Sequence, residues 1–258
     1  MSNLFSFARF GRLFTKFTVE HWKSYLMGAG VLAASLLLVM GFLTYVTHSL
    51  PGLGQQTVFL FVFLLGAGFL FTSSVFADFG EKSRAVAALT LPASQLEKYL
   101  VAWLYSGPLF LLAFVGIFFA VDSLLMTVGG RDGQVGMLLN LFAPEAGFGT
   151  LLLLFLVVHG LALWGSIFFG TAAFIKTGMV FFTGLVVVIL LNYQVLKALL
   201  GPSIQNSMPF LGAGLEEQKI YYTLNLPDAQ QSFVGLVLLI LAGLLWLAAY
   251  ARLREKQL

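Results

Sequence analysis

Six stretches of the chain, each of at least 20 residues, contain no Asp, Glu, Lys or Arg, and this pattern restricts the fold more than any other feature. The stretches are Tyr25–Thr47, Thr57–Ala77, Tyr99–Val121, Phe148–Ile175, Thr177–Leu196 and Ser232–Ala251. About 20 apolar residues suffice for one helix to cross a bilayer. Because 59% of the residues are hydrophobic and only 10% are charged, a water-soluble fold could not bury this much apolar surface. The sequence therefore predicts an all-α membrane protein with six spans in a single transmembrane domain over residues 1–258.

The fourth and fifth apolar stretches are separated only by Lys176, which is followed by Thr177-Gly178. A single span over both is excluded, because about 49 helical residues at 1.5 Å each would far exceed the thickness of a bilayer. The sequence therefore predicts a tight helical hairpin that turns at Lys176.

The distribution of the basic residues predicts the orientation of the spans. With the N-terminus inside, 11 of the 14 Lys and Arg residues fall in cytoplasmic segments and 3 fall in outer segments. The outer segments also contain most of the Asp and Glu residues, Asp122 among them. Two long outer loops, 122–147 and 198–231, have no feature of an independent domain. The positive-inside rule thus predicts that both termini are cytoplasmic and that the protein lies in a cell (inner) membrane.

The N-terminal segment, residues 5–22, has the pattern of a basic amphipathic helix. Its cations Arg9, Arg12 and Lys16 share one face, and the rings of Phe10, Phe14 and Phe17 occupy the adjoining face. This pattern predicts an interfacial helix before the first span, with the rings in the acyl boundary and the cations toward anionic lipid headgroups. The alternative is that the segment only enforces the topology.

The predicted cytoplasmic loop between the second and third spans, residues 78–98, contains a local helix signal. Ser94 and Glu97 have the spacing of a capping box, and Pro92 disfavours helix at the residue before it. The third helix is therefore expected to begin in the cytoplasm at Ser94 and to enter lipid near Tyr99. Residues 80–90 can form a short exposed helix, suited to docking a partner, although an ordinary loop with a good helix cap explains the pattern as well.

Two motifs in this layout resemble ABC-2 type transporter permeases, the membrane subunits of ATP-binding cassette exporters. The run Leu91–Lys98 is similar to the LP-S-x-x-K stretch of that family, and Phe169–Thr177 resembles its junction between spans four and five. The resemblance covers nearly the whole chain in layout and about 30 residues in motif.

The resemblance implies partners and a docking site. Such permeases form homo- or heterodimers with a second permease copy or paralogue, and they bind separate ATP-binding cassette ATPase subunits. A coupling helix would lie in about Phe79–Leu89 and an elbow helix in about Phe5–Trp22. The residues implied for the ATPase-docking loop are Asp78, Glu81, Lys82, Arg84, Glu97 and Lys98.

Several classes of activity lack the residues that they need. Gly80-Glu81-Lys82-Ser83 lacks the spacing of a P-loop, and the absence of Cys excludes thiolate metal sites. We therefore expect no catalytic residue, cofactor or metal in this chain, no nucleic-acid partner, and ATP hydrolysis only in another subunit. Membrane lipid is the remaining expected partner, and the near absence of charge within the spans favours a lipid-like or amphipathic cargo over an ion-coupled one.

Two residues within the spans and one rival function remain open. His159 lies in the fourth span, either as a functional group or as a neutral residue hydrogen-bonded within the bundle, and Pro108 is expected to kink the third span. The rival to a permease is a non-transporting membrane anchor or assembly subunit of a larger complex. In that case, the outer loops would provide its contacts.

Overall fold

The computed structural model describes residues 5–75, 94–128, 136–143, 146–169, 172–201, 204–208, 212–217, 220–225 and 228–255. The helices are α1 (Phe7–Thr47), α2 (Leu53–Val75), α3 (Gln95–Leu104), α4 (Phe110–Val128), α5 (Phe148–Phe169), α6 (Ala173–Leu200) and α7 (Asp228–Glu255). A π-helical turn, Tyr105–Leu109, joins α3 to α4, so that these two helices and the turn form one continuous element.

Among the described residues, six helices are long and apolar enough to cross a membrane. They correspond one to one with the six apolar stretches, counting α3, the π turn and α4 as a single helix over Gln95–Val128. The prediction of six apolar helices that are long enough to span a membrane is therefore confirmed.

The N-terminal segment is not separated from the first span, since α1 runs for 41 residues without a break. No proline interrupts the sequence between Ser6 and Tyr25, so nothing there ends the helix. At 1.5 Å per residue α1 is about 62 Å long, roughly twice the hydrocarbon thickness of a bilayer. A substantial part of α1 must therefore lie outside the hydrocarbon.

α1 and the α3–α4 helix run in parallel along most of their length. Arg9 lies beside Glu97 at one end, and Gly41 approaches Leu125 at the other. We call the two ends of the bundle the Glu97 end and the Asp122 end. The carboxyl end of α7 lies at the Glu97 end, since the Tyr99 hydroxyl donates to the Trp246 carbonyl oxygen at 2.9 Å.

The hairpin between the fourth and fifth helices turns before Lys176, so the predicted turn at Lys176 is wrong. α5 ends at Phe169 and α6 begins at Ala173, after Ala172 in the left-handed region with φ of 52°. The backbone N–H of Lys176 donates to the Ala172 carbonyl oxygen, which places this lysine in the first turn of α6. A single charged side chain does not end a helix, and Lys176 is part of the first turn of α6.

The second long loop predicted on the outer side, 198–231, contains a three-stranded antiparallel sheet, which the sequence did not predict. The strands β1 (Ile204–Met208), β2 (Gly212–Glu217) and β3 (Ile220–Asn225) pair in the order β1-β2-β3. β1 packs against α6. The sheet follows the end of α6 that lies away from the Glu97 end.

The described core consists of two clusters of apolar side chains. The larger cluster joins α1, α2, α4 and α5, with Phe114, Phe118 and Phe155 almost fully buried. The smaller lies toward the Glu97 end around Tyr99, Leu163 and Leu253. Asp122, predicted in an outer loop, instead lies inside α4 and is fully buried, because α4 continues to Val128.

Candidate functional site

Glu97 is fully buried at the point where α1 and α3 begin. Its Oε1 accepts hydrogen bonds from the backbone N–H of Ser6 at 2.8 Å and from Nη2 of Arg9 at 3.1 Å. Its Oε2 accepts from the backbone N–H of Ser94 at 2.8 Å. One carboxylate therefore joins two segments that are about 90 residues apart in the sequence.

The predicted capping box at the start of α3 is confirmed. The backbone N–H of Glu97 donates to Oγ of Ser94 at 3.2 Å, while the Glu97 side chain accepts from the Ser94 backbone. Ser6 is the residue that precedes the first turn of α1, as Ser94 precedes that of α3. The positive ends of two helix dipoles and the Arg9 guanidinium therefore all stabilise the charged form of Glu97.

Arg9 contacts protein rather than extending freely toward headgroups. Its side chain is one-third exposed and forms an ion pair with Glu97 at 3.1 Å. The side chains of Arg12 and Lys16 in α1 are exposed, and Lys16 pairs with Glu20 at 3.5 Å. Only these two of the three predicted headgroup cations have the predicted exposure.

The aromatic face of the N-terminal segment packs against the third helix, and its position in the acyl boundary stays a prediction. The rings of Phe14 and Phe17 lie 5.0 Å and 4.9 Å from the ring of Tyr105, and the ring of Phe10 lies 6.4 Å from that of Phe14. The Tyr105 hydroxyl also hydrogen-bonds to Oγ1 of Thr18. Because α1 continues without a break, this face lies beside the third helix and is partly buried against it.

The residues predicted for the docking loop divide into two groups. Glu97 and Lys98 are both buried at the start of α3. Asp78, Glu81, Lys82 and Arg84 lie outside the described residues, as do the predicted coupling segment Phe79–Leu89 and the helix predicted over 80–90. Glu97 thus lies at the carboxyl end of the loop predicted to dock a partner.

A buried polar chain crosses the bundle at the π turn. The Trp246 indole N–H donates to Nδ1 of His159 at 3.0 Å, and Nε2 of His159 lies 2.9 Å from Oγ of Ser106. Because an indole N–H can only donate, Nδ1 must accept, and the His159 proton lies on Nε2. The Ser106 hydroxyl then donates to the Ala102 carbonyl oxygen at 2.8 Å.

The hydrogen bonds from Trp246 and to Ser106 use both ring nitrogens of a neutral His159. His159 is 1% exposed, which supports the interpretation of a histidine hydrogen-bonded within the bundle. The π turn that carries Ser106 also contains Pro108, whose missing N–H removes one helical hydrogen bond. Pro108 therefore lies in a π-helical turn, and the kink expected there stays a prediction.

Sequence reasoning missed the long-range partners in both clusters. Ser6, Ser106 and Trp246 have no motif that marks them, because each acts only through a contact with a distant helix. Among the described residues, no group of three or more His, Asp or Glu side chains lies close enough together to hold a metal ion.

Comparison of the chain with protein-family models, with curated proteins and with solved structures finds no match.

Proposed function

We propose that this chain is the membrane-spanning permease subunit of an ATP-driven ABC transporter, which exports a lipid-like or amphipathic substrate while a separate subunit hydrolyses ATP. The single observation that best supports this proposal is the buried Glu97 contact. It joins the start of α3, which receives the loop over residues 78–98, to the start of α1.

Through this contact, a movement of the proposed docking loop would be transmitted to α1. An ATPase subunit that displaces the loop would move Ser94 and Glu97 with it. The bonds from Glu97 to Ser6 and Arg9 would then move α1 together with the third helix. Hydrogen bonds to charged groups stabilise by about 1.5–3 kcal/mol each, so the two helices would respond as one body.

The hydrogen bonds of His159 attach the π turn to α5 and α7. Ser106 belongs to the π turn, whereas His159 and Trp246 belong to α5 and α7. In the proposed cycle, the α1–α3–α4 body moves against α5 and α7, and the π turn is the deformable point between them.

The proposed subunit pairs with a second permease copy or paralogue in the cell (inner) membrane, with both termini cytoplasmic. α1 and α6 support this pairing, because both expose apolar side chains over most of their length. The exposed Arg12 and Lys16 would meet anionic lipid headgroups at the cytoplasmic surface.

The proposal is tested on the full-length chain purified from its native membrane in mild detergent. A P-loop ATPase is expected to copurify, with ATP hydrolysis in the complex. The double substitution Lys82→Glu, Arg84→Glu is expected to reduce both the bound ATPase and the hydrolysis. A matched control, Arg254→Glu with Lys256→Glu, makes the same charge change elsewhere on the same predicted side. Absence of any ATPase, or equal effects of the two double substitutions, would exclude the proposed docking.

A second candidate, a non-transporting anchor or assembly subunit, is favoured by the β1–β2–β3 sheet. This sheet is an ordered surface in the second outer loop, where such a subunit would bind its partner. Deleting residues 204–225 separates the two functions: an anchor would lose its partner, whereas the proposed permease would retain its ATPase.

A further inference from the structure

Asp122 is an acidic side chain in the apolar interior of the bundle. It lies in α4 with no exposed surface, and neither Oδ1 nor Oδ2 has a hydrogen-bond partner among the described residues. An ionisable residue inside a membrane helix is costly, and it is normally paired with another group or involved in function. Asp122 therefore needs a partner that the described side chains do not supply.

Buried residues near Asp122 in the sequence belong to the larger apolar core cluster. Phe118 and Val121, on the same helix, belong to the larger core cluster, which also contains Leu36 of α1. Leu139 and Ala146, from the segment that follows α4, belong to this cluster as well. A bare carboxylate in such surroundings would lose its hydration without compensation.

The charged and titratable groups on the neighbouring elements do not compensate it. α2 and residues 136–143 contain no Asp, Glu, Lys, Arg, His or Tyr, and Asp122 is the only such residue in α4. On α1, Tyr45 and His48 at this end are both exposed. The His159 ring of α5 is bonded to Ser106 and Trp246. Arg131, Asp132 and Glu145 lie outside the described residues.

Gln56 adds a second buried acceptor at the Asp122 end. Its Nε2 donates to the carbonyl oxygens of Pro51 and Met137 at 2.8 Å and 2.9 Å, which fixes the amide. Its Oε1 has no donor among the described residues. This end of the bundle therefore contains three buried side-chain acceptor oxygens that receive no hydrogen bond from the described residues.

We propose that Asp122 is a proton-binding site, and that its ligand is a single proton taken from the aqueous phase at the Asp122 end. The proton forms an O–H bond on one carboxylate oxygen, so that the side chain becomes a neutral acid and gains the donor that the site lacks. A metal cation fits less well, because such ions take about six or more oxygen ligands, and this site offers one carboxylate. The inference does not depend on the proposed transport function.

Infrared spectroscopy of the full-length protein in lipid nanodiscs tests this site directly. At neutral pH we expect a carbonyl stretching band of a protonated carboxylic acid, shifted in deuterated buffer and lost in Asp122→Asn. Glu255→Gln is the matched control, since Glu255 is an exposed acid that pairs with Arg252 at 2.6 Å. The control should leave the band unchanged.

A measurement on the unsubstituted protein covers the case in which Asp122→Asn fails to fold. Carboxyl-labelled [¹³C]aspartate should shift the same band, whereas labelled glutamate should not. A band that survives Asp122→Asn, a band that responds to glutamate labelling, or the absence of any protonated-acid band at neutral pH would each overturn the proposal. Raising the pH should remove the band, and adding sodium or calcium at constant pH should not.

Discussion

The Trp246 indole N–H donates to Nδ1 of His159 at 3.0 Å, which holds α7 against α5 and fixes the imidazole in one neutral tautomer. The same histidine bonds Ser106 of the π turn through its other nitrogen. Three of the spanning helices are therefore joined through one ring that has no free nitrogen.

Trp246→Phe should destabilise the bundle, because Nδ1 of His159 would be left buried without its donor. The expected loss is about 1–3 kcal/mol, the cost of an unsatisfied buried polar group. This loss can be measured as a decrease in the free energy of unfolding, by reversible denaturation in mixed micelles. Trp22→Phe is the matched control, since Trp22 is about half exposed (49%). Equal effects of the two substitutions would show that the indole hydrogen bond contributes nothing.

A double-mutant cycle on Arg9→Gln and Glu97→Gln should give a substantial coupling energy. Glu97 is fully buried and bonded to the Arg9 guanidinium, so removing either partner deprives the other of a charge-assisted hydrogen bond. We expect a coupling of about 1.5–3 kcal/mol, measured by the same denaturation. The control cycle, Lys16→Gln with Glu20→Gln, concerns an exposed i,i+4 pair and should give about 0–0.5 kcal/mol. A coupling at Glu97 no larger than the control would contradict the proposed link between α1 and α3.

The start of α3 was predictable because its signal is local. The Ser94 and Glu97 side chains cap their own helix, and their spacing alone specifies the geometry. The remaining contacts of Glu97, to Ser6 and Arg9, join residues 91 and 88 positions away. Such contacts depend on how helices pack, which no local pattern encodes.

The ends of the spans were predicted less well, because charge was taken as the end of the helix. Lys176 lies in the first turn of α6, and Asp122 lies inside α4, which continues to Val128. Neither residue breaks a helix by its backbone chemistry. The six apolar stretches located the helices correctly, whereas hydrogen bonding and packing decide where each helix ends.

Gly165→Leu should disrupt the hairpin of α5 and α6. A Cβ at Gly165 would overlap the Thr177 side chain, which is fully buried. Close approach of membrane helices relies on such small residues. We expect a loss of folded, monodisperse protein in size-exclusion chromatography. Gly184→Leu is the control, because no neighbouring side chain or helix lies within 4 Å of the place that a Cβ would occupy there.

Reducing the partner tests the same contact from the other side. Gly165→Ala alone should be destabilising, and adding Thr177→Ala should restore part of the loss by removing Oγ1 and Cγ2, two of the three overlapping atoms. If Gly165→Ala and Gly184→Ala behave alike, the close contact at Gly165 is not important for the fold.

The orientation predicted from the Lys and Arg distribution can be tested by cysteine labelling, since the chain contains no native Cys. Ser207→Cys lies in β1, which follows α6 on the predicted outer side, and Lys256→Cys lies near the C-terminus on the predicted cytoplasmic side. In intact cells, an impermeant maleimide should label Ser207→Cys, and it should label Lys256→Cys only after the membrane is permeabilised. The physical reason is that cytoplasmic loops retain the excess of cations during insertion. The opposite labelling pattern would reverse the bundle, and it would place the Glu97 contact on the side of the membrane where no ATPase could reach it.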